Sequence, residues 1–313
     1  MDVNWDMKYT INVGFTTHRV EILKLLEKEL EKSKAIILEE PKNTKLYDYF
    51  EGKKGLSEYI EELNTTLPVF TIHFLKLLKK MHGKGIKILQ IEPYLENLEK
   101  IYRAIDKGEF ENAAMGEDIE TVREVERKAT EMLIKYQEAF LRQDFDGVID
   151  ATINFTKADA ERFRVRDYMR AREIKEIMEK DELPSNIFVE AGQMHFLLPE
   201  HLSRMLQNSE ITVIKIVEKM AEYCNLKLIS NPGNQLTSEY IMGKKIDRDY
   251  ERLMAARGII YISLIKKEEM VPSNNNPCPH LMDEMRVADY VSKLSYEDCR
   301  KKFIKLWGSI KQK

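Results

Sequence analysis

The chain has 313 residues, 43% of them apolar and 33% charged, which is ample material for a sizeable core. Fifty Lys and Arg stand against 53 Asp and Glu, and the formal charge of −3 excludes a strong global field for nucleic acid or an anionic membrane. No uninterrupted apolar run reaches about eighteen residues and no signal-peptide pattern opens the chain, so the expectation is a cytoplasmic protein without membrane or nucleic-acid partners. Cys224, Cys278 and Cys299 show no C-x-x-C spacing and are expected as reduced thiols.

Residues 8 to 14 read as a first strand, followed by a helical stripe through Val20, Leu23, Leu26 and Leu30. Ala35-Ile-Ile-Leu-Glu39-Glu40-Pro41 is a second strand with an apolar body and an acidic exit. Residues 42 to 55, lysine-rich with Gly52 and Gly55, are expected as a mobile loop. Helices over about 56–64 and 68–81 precede a third strand, Ile86-Lys-Ile-Leu-Gln-Ile-Glu92-Pro93, which again ends in an acid and a proline. Strands separated by helices imply crossover connections and a mainly parallel sheet, an α/β fold.

From about 94 to 180 the pattern is charged and helical, interrupted at Lys107-Gly108 and more softly near Gly116 and Gly147; it reads as a large helical insertion or lid between strands 3 and 4. A fourth, buried strand is expected around Ile187-Phe-Val, entering a turn at Gly192 and ending at His195. A helix near 199–207 and a strand at 211–217 follow. Asn231-Pro-Gly-Asn reads as a turn, 246–256 as a helix, and Gly258-Ile-Ile-Tyr-Ile-Ser-Leu-Ile as a last strand. The division expected is an α/β domain over 1–270 and, over 271–313, a linker and a closing helical pair.

If the strands run parallel, the polar groups at their carboxyl ends converge at one edge of the sheet, where open α/β folds bind their ligands. That edge would gather His18, Glu39, Glu40, Glu92 and His195, with Glu190 beside Glu40 and Glu92 as a second-tier candidate. Arg162, Arg166 and Arg170, spaced four apart on one helical face, would cover it and could hold carboxylates or an anionic substrate. Two imidazoles with a carboxylate suit a Zn, Mn or Fe ion carrying water or substrate; without metal they suit a histidine general base held by an acid. Plainer explanations stand beside these: hydrogen-bonded structural histidines, capping acids and a solvated arginine face. Cys278-Pro-His280 is too tight and too short of partners for a zinc motif.

Phe15-Thr-Thr-His18, Leu38-Glu39, Arg166-Asp-Tyr-Met169 and Gly192-Gln-Met-His195, in this order over roughly residues 9 to 200, resemble the superfamily of TraB and PrgY pheromone-shutdown proteins, Tiki proteases, erythromycin esterases and the ChaN haem-binding protein. The chain departs from that pattern at Phe15, where the first Gly-x-x-His motif has glycine and Gly14 lies one residue early. It also has none of the C-terminal membrane helices of many TraB relatives. The resemblance implies a cleft at the strand ends and hydrolysis of a peptide or ester bond in a small-molecule or peptide substrate, in several branches with a divalent metal. By motif position His18, His195 and Glu39 would bind metal or share base duty, and Arg166 would stabilise the oxyanion. A non-catalytic pocket for haem or another small ligand is the alternative, a scaffold that has lost its chemistry a third. A homo-oligomer is compatible with all three.

Overall fold

A computed structural model describes residues 9–109, 116–180 and 183–307. Within them the elements run β1 (Thr10–Thr16), α1 (Leu23–Leu30), β2 (Ala35–Leu38), α2 (Lys45–Phe50), α3 (Leu56–Leu63), α4 (Pro68–Gly83), β3 (Lys87–Gln90), α5 (Pro93–Asp106), α6 (Glu117–Arg142), α7 (Phe145–Glu179), β4 (Asn186–Gly192), α8 (Leu197–Met205), β5 (Glu210–Lys215), α9 (Ile216–Tyr223), α10 (Pro232–Ile241), α11 (Arg248–Leu264), α12 (Pro279–Ser292) and α13 (Tyr296–Trp307). The fold is α/β, with the long helices α6 and α7 between the third and fourth strands, as the sequence implies. The expected strand start at residue 8 and the tail to Lys313 lie outside the described residues.

All five strands pair in parallel, in the order β3-β2-β4-β1-β5. The fourth strand in sequence is thus inserted between the first two, with Gly14 level with Glu190, Thr16 level with Gly192 and Ile37 level with Val189. Burial explains the composition of the inner strands. All of β2 is buried, as are Ile187–Ala191 of β4, and a strand covered on both faces needs the continuous apolar run that both carry. On β1, position 14 admits only glycine beside β4, because the ring of Phe188 lies where a Cβ would be.

Two compact units emerge, and they divide the chain differently from the expected 1–270 and 271–313. The first takes Met1–Glu96, Arg166–Leu226 and Glu268–His280; the second takes Asn97–Val165, Lys227–Lys267 and Leu281–Lys313. The first contains the sheet, with a core of Ile11, Val13, Ile37, Ile174, Val189 and Leu198 among others. The second has its own core, in which Val148 and Ile149 of α7 meet Ala256 and Ile260 of α11 and Val291 and Phe303 of the last two helices. Segments distant in sequence complete each core, so neither the insertion nor the tail is autonomous.

Several local expectations are corrected. Residues 258–264 are the second half of helix α11 rather than a strand. The apolar run Gly258-Ile-Ile-Tyr-Ile carries no period of its own, and the Asp247 side chain, which accepts from the amides of Asp249 and Tyr250, starts a helix that runs through it. Asn231-Pro-Gly-Asn is the cap and first turn of α10, with the Asn231 side chain accepting from Gly233 N. Ile216 and Val217 begin α9 instead of extending β5, residues 45–50 of the expected loop are helical, and α7 passes through Gly147 unbroken. Cys224 and Cys278 form a disulfide, their Cα atoms 6.6 Å apart, and Cys299 is free and buried. The 54-residue separation hides that proximity from the sequence. Among the described residues no helix is long and apolar enough to cross a membrane.

Candidate functional site at the strand carboxyl edge

The insertion of β4 between β1 and β2 sets the site. Glu190 follows the buried body of β4 and serves both neighbours: Oε1 accepts from Thr16 Oγ1 at 2.8 Å and Oε2 accepts from Glu39 N at 3.1 Å. His18 Nε2 lies 4.0 Å from the same Oε1, its side chain 57% exposed, with its ring stacked on Phe70 at 5.1 Å. The turn after β4, closed by His195 N to Gly192 O, brings His195 to the end of β2.

His195 is buried and bonded at both ring nitrogens. Nε2 lies 2.8 Å from Glu39 Oε1, and Nδ1 contacts Asp167 Oδ1. Burial alone would lower its pKa, but Glu39 and Asp167 push it up to about 9, so the ring is an imidazolium at neutral pH. Burial would likewise raise the Glu39 carboxyl; His195, Arg170 and Arg166 instead hold it well below the usual carboxylate range. Its Oε1 also accepts from Arg166 at 2.9 Å, and its Oε2 takes the Gly192 amide at 2.6 Å.

Helix α7 supplies the cations. Arg166 reaches Glu39 and, at 3.4 Å, Glu92, and its guanidinium lies over the Tyr94 ring. Arg170, fully buried, donates to Ile91 O at 3.0 Å and Glu190 O at 2.7 Å, the exits of β3 and β4, and faces Glu39 at the end of β2 between them. One guanidinium thereby joins three strand ends. Arg162, expected with them, belongs to the second unit and meets Glu126 and Asp159, because α7 passes from one unit to the other at Val165 and Arg166. Glu40 accepts from Gln90 at 2.9 Å; burial pushes its carboxyl up against that hydrogen bond, and Glu190 adds to the rise.

Glu39, Glu92, Arg166, Arg170, Glu190 and His195 are therefore one linked network, and His18 joins it through Glu190. Sequence reasoning missed Asp167, Thr16 and Gln90. Asp167 carried a signal, since it stands beside Arg166 on the same helix and three residues before Arg170. The donors expected for a divalent metal do not fit one as they stand: both His195 nitrogens and both Glu39 oxygens are engaged by protein groups. Among the described residues no group of three or more His, Cys, Asp or Glu side chains is arranged to hold a metal ion. The Cys278–His280 pair is also otherwise used, Cys278 in the disulfide and His280 Nε2 as acceptor for the Met270 amide.

No family model matches the chain, and no solved structure matches it. A protein of Archaeoglobus fulgidus, described as uncharacterized, is 34% identical to it over 298 residues, which is 95% of this chain and 99% of that protein. At that identity over nearly the full length of both, the chain belongs to the same protein family as the Archaeoglobus fulgidus protein.

Proposed function

We propose that the carboxyl edge of the sheet is the active site of a hydrolase acting on an ester or peptide bond, with His18 as general base. The observation that carries this reading is the His18–Glu190 pair, in which a solvent-facing imidazole is backed at 4.0 Å by a buried carboxylate. A base needs an accessible nitrogen, and His18 has one where His195 has none. Glu190 would orient the ring from its buried side while His18 takes the proton of the attacking water. Thr16 and the Glu39 amide hold Glu190 in place.

Arg166, with 13% of its side chain exposed, would stabilise the developing oxyanion. His195, Asp167 and Glu39 form the charged frame behind it and make no proton transfer of their own in this scheme. The motif resemblance to erythromycin esterases and Tiki proteases supports the reaction class, and no step is assigned to a metal.

The test is hydrolysis of a panel of esters and peptides by the wild-type chain and by His18→Ala and Glu190→Gln. The expected result is a loss of roughly 10²- to 10⁴-fold in His18→Ala, the range of general-base catalysis. Wild-type turnover that His18→Ala leaves unchanged would overturn the assignment. A Soret band on haem titration in a chain without turnover would replace it by the binding reading.

A further inference from the structure

We infer that the segment Glu268–His280 positions His18, with Glu269 as the positioning residue; this rests on the hydrolase reading for its consequence in catalysis, but not for its geometry. The segment lies about 250 residues from His18 in sequence yet belongs to the same unit. It grips the chain on two sides of that imidazole.

The first grip is at the start of α4. Leu67, the cap residue, makes no side-chain cap bond, and Pro68 at the first position has no N–H. The amides left without an intrahelical partner are then those of Val69 and Phe70. Glu269 takes both, Oε2 from Val69 at 2.9 Å and Oε1 from Phe70 at 2.8 Å, and a carboxylate there also complements the helix dipole. Phe70 carries the ring on which His18 is stacked. The two bonds, one to each amide, hold the backbone from which that ring projects.

The second grip is on Glu21, buried three residues after His18. Its Oε2 accepts the His280 amide at 3.0 Å, while His280 Nε2 accepts the Met270 amide and folds the segment back on itself. The Cys224–Cys278 disulfide ties the same segment to the end of α9. An exposed histidine on a loop has little packing of its own to select a rotamer. Beside the Glu190 carboxylate, the stacked ring and the turn that follows set its orientation, and this segment holds both.

The experiment reads the His18 ring protons by NMR in the full chain; the chain has six histidines, and the spectrum of His18→Gln identifies the signal. In wild type the stacked Phe70 ring shifts these protons by its ring current. Glu269→Ala is expected to abolish most of that shift and Glu269→Gln, which keeps one acceptor oxygen, only part of it. Lys76→Gly, which weakens the exposed middle of α4 without touching its cap, should leave it in place. Should Glu269→Ala not fold, the comparison is read between Glu269→Gln and Lys76→Gly. Unmoved His18 protons in a folded Glu269 variant, or an equal movement in Lys76→Gly, would overturn the inference. On hydrolysis, Glu269→Ala should lower kcat about tenfold with KM unchanged, as expected for a misplaced base. Absence of any wild-type turnover would remove the hydrolase reading and leave the NMR result to decide the positioning.

Discussion

Asp167 and His195 form a buried contact in the network, and the carboxylate does two jobs at once. Its Oδ1 binds His195 Nδ1, while its Oδ2 accepts from the amides of Leu197 and Leu198 at 3.0 and 3.1 Å, the first turn of α8, whose own cap residue makes no side-chain bond. Asp167→Ala should cost about 3–5 kcal/mol, because it removes one of the two carboxylates holding a buried imidazolium and leaves two helix amides without an acceptor. Urea unfolding of the variant checks this; a cost under about 1 kcal/mol would show that the contact is not structural.

His195 makes stability depend on alkaline pH. Its folded pKa of about 9 lies above the ordinary 6.5, so the native state binds the proton more tightly than the unfolded chain. The stabilisation is complete below pH 6.5 and is lost as pH rises toward 9, a total of roughly 3 kcal/mol. Unfolding midpoints at pH 6 and pH 9.5 should differ accordingly, and His195→Gln should remove that dependence. Glu39, held low, works in the opposite direction: its contribution is present above the ordinary carboxylate value of 4.5 and is lost on acidification.

The two histidines should respond unequally to truncation. His18→Ala removes an exposed side chain and should change stability by no more than about 0.5 kcal/mol. His195→Ala leaves Glu39 and Asp167 without their shared partner and should cost several-fold more. Equal effects in thermal unfolding would contradict the division between a working and a framing imidazole.

Gly14→Ala should destabilise by about 1–3 kcal/mol through overpacking, since the new methyl would fall inside the fully buried Phe188 ring. Combining it with Phe188→Leu should recover part of the loss, which a double-mutant cycle measures. The glycine one residue early in the first motif is thus a packing requirement of β1 against β4.

Removing the Cys224–Cys278 bond should lower stability by about 4 kcal/mol at most, the chain-entropy value for a closed loop of this length. Calorimetry with and without a dithiol, beside Cys278→Ser, reads it. A thermal midpoint unaffected by reduction would count against the bond.

The parallel α/β fold was legible in the apolar runs of β1, β2 and β4 and in the helical stripe of the insertion, because a strand buried on both faces and an amphipathic helix each write their period locally. Residues 258–264 were not, since a short apolar run fits either element and only the cap at Asp247 and the packing of the second unit choose helix.

The sequence by itself determined that acids and histidines stand at strand exits, and that Arg166 and Arg170 share a helical face. Only the tertiary structure decided which of these groups meet. The order β3-β2-β4-β1-β5 puts the fourth strand between the first two, so Glu190 serves Thr16 and Glu39, and His195 lies beside Glu39 while His18 faces solvent. Strand order is set by which buried faces fit one another across the whole core. That information is spread over residues as far apart as Ile11, Ile37 and Val189 and has no local signature.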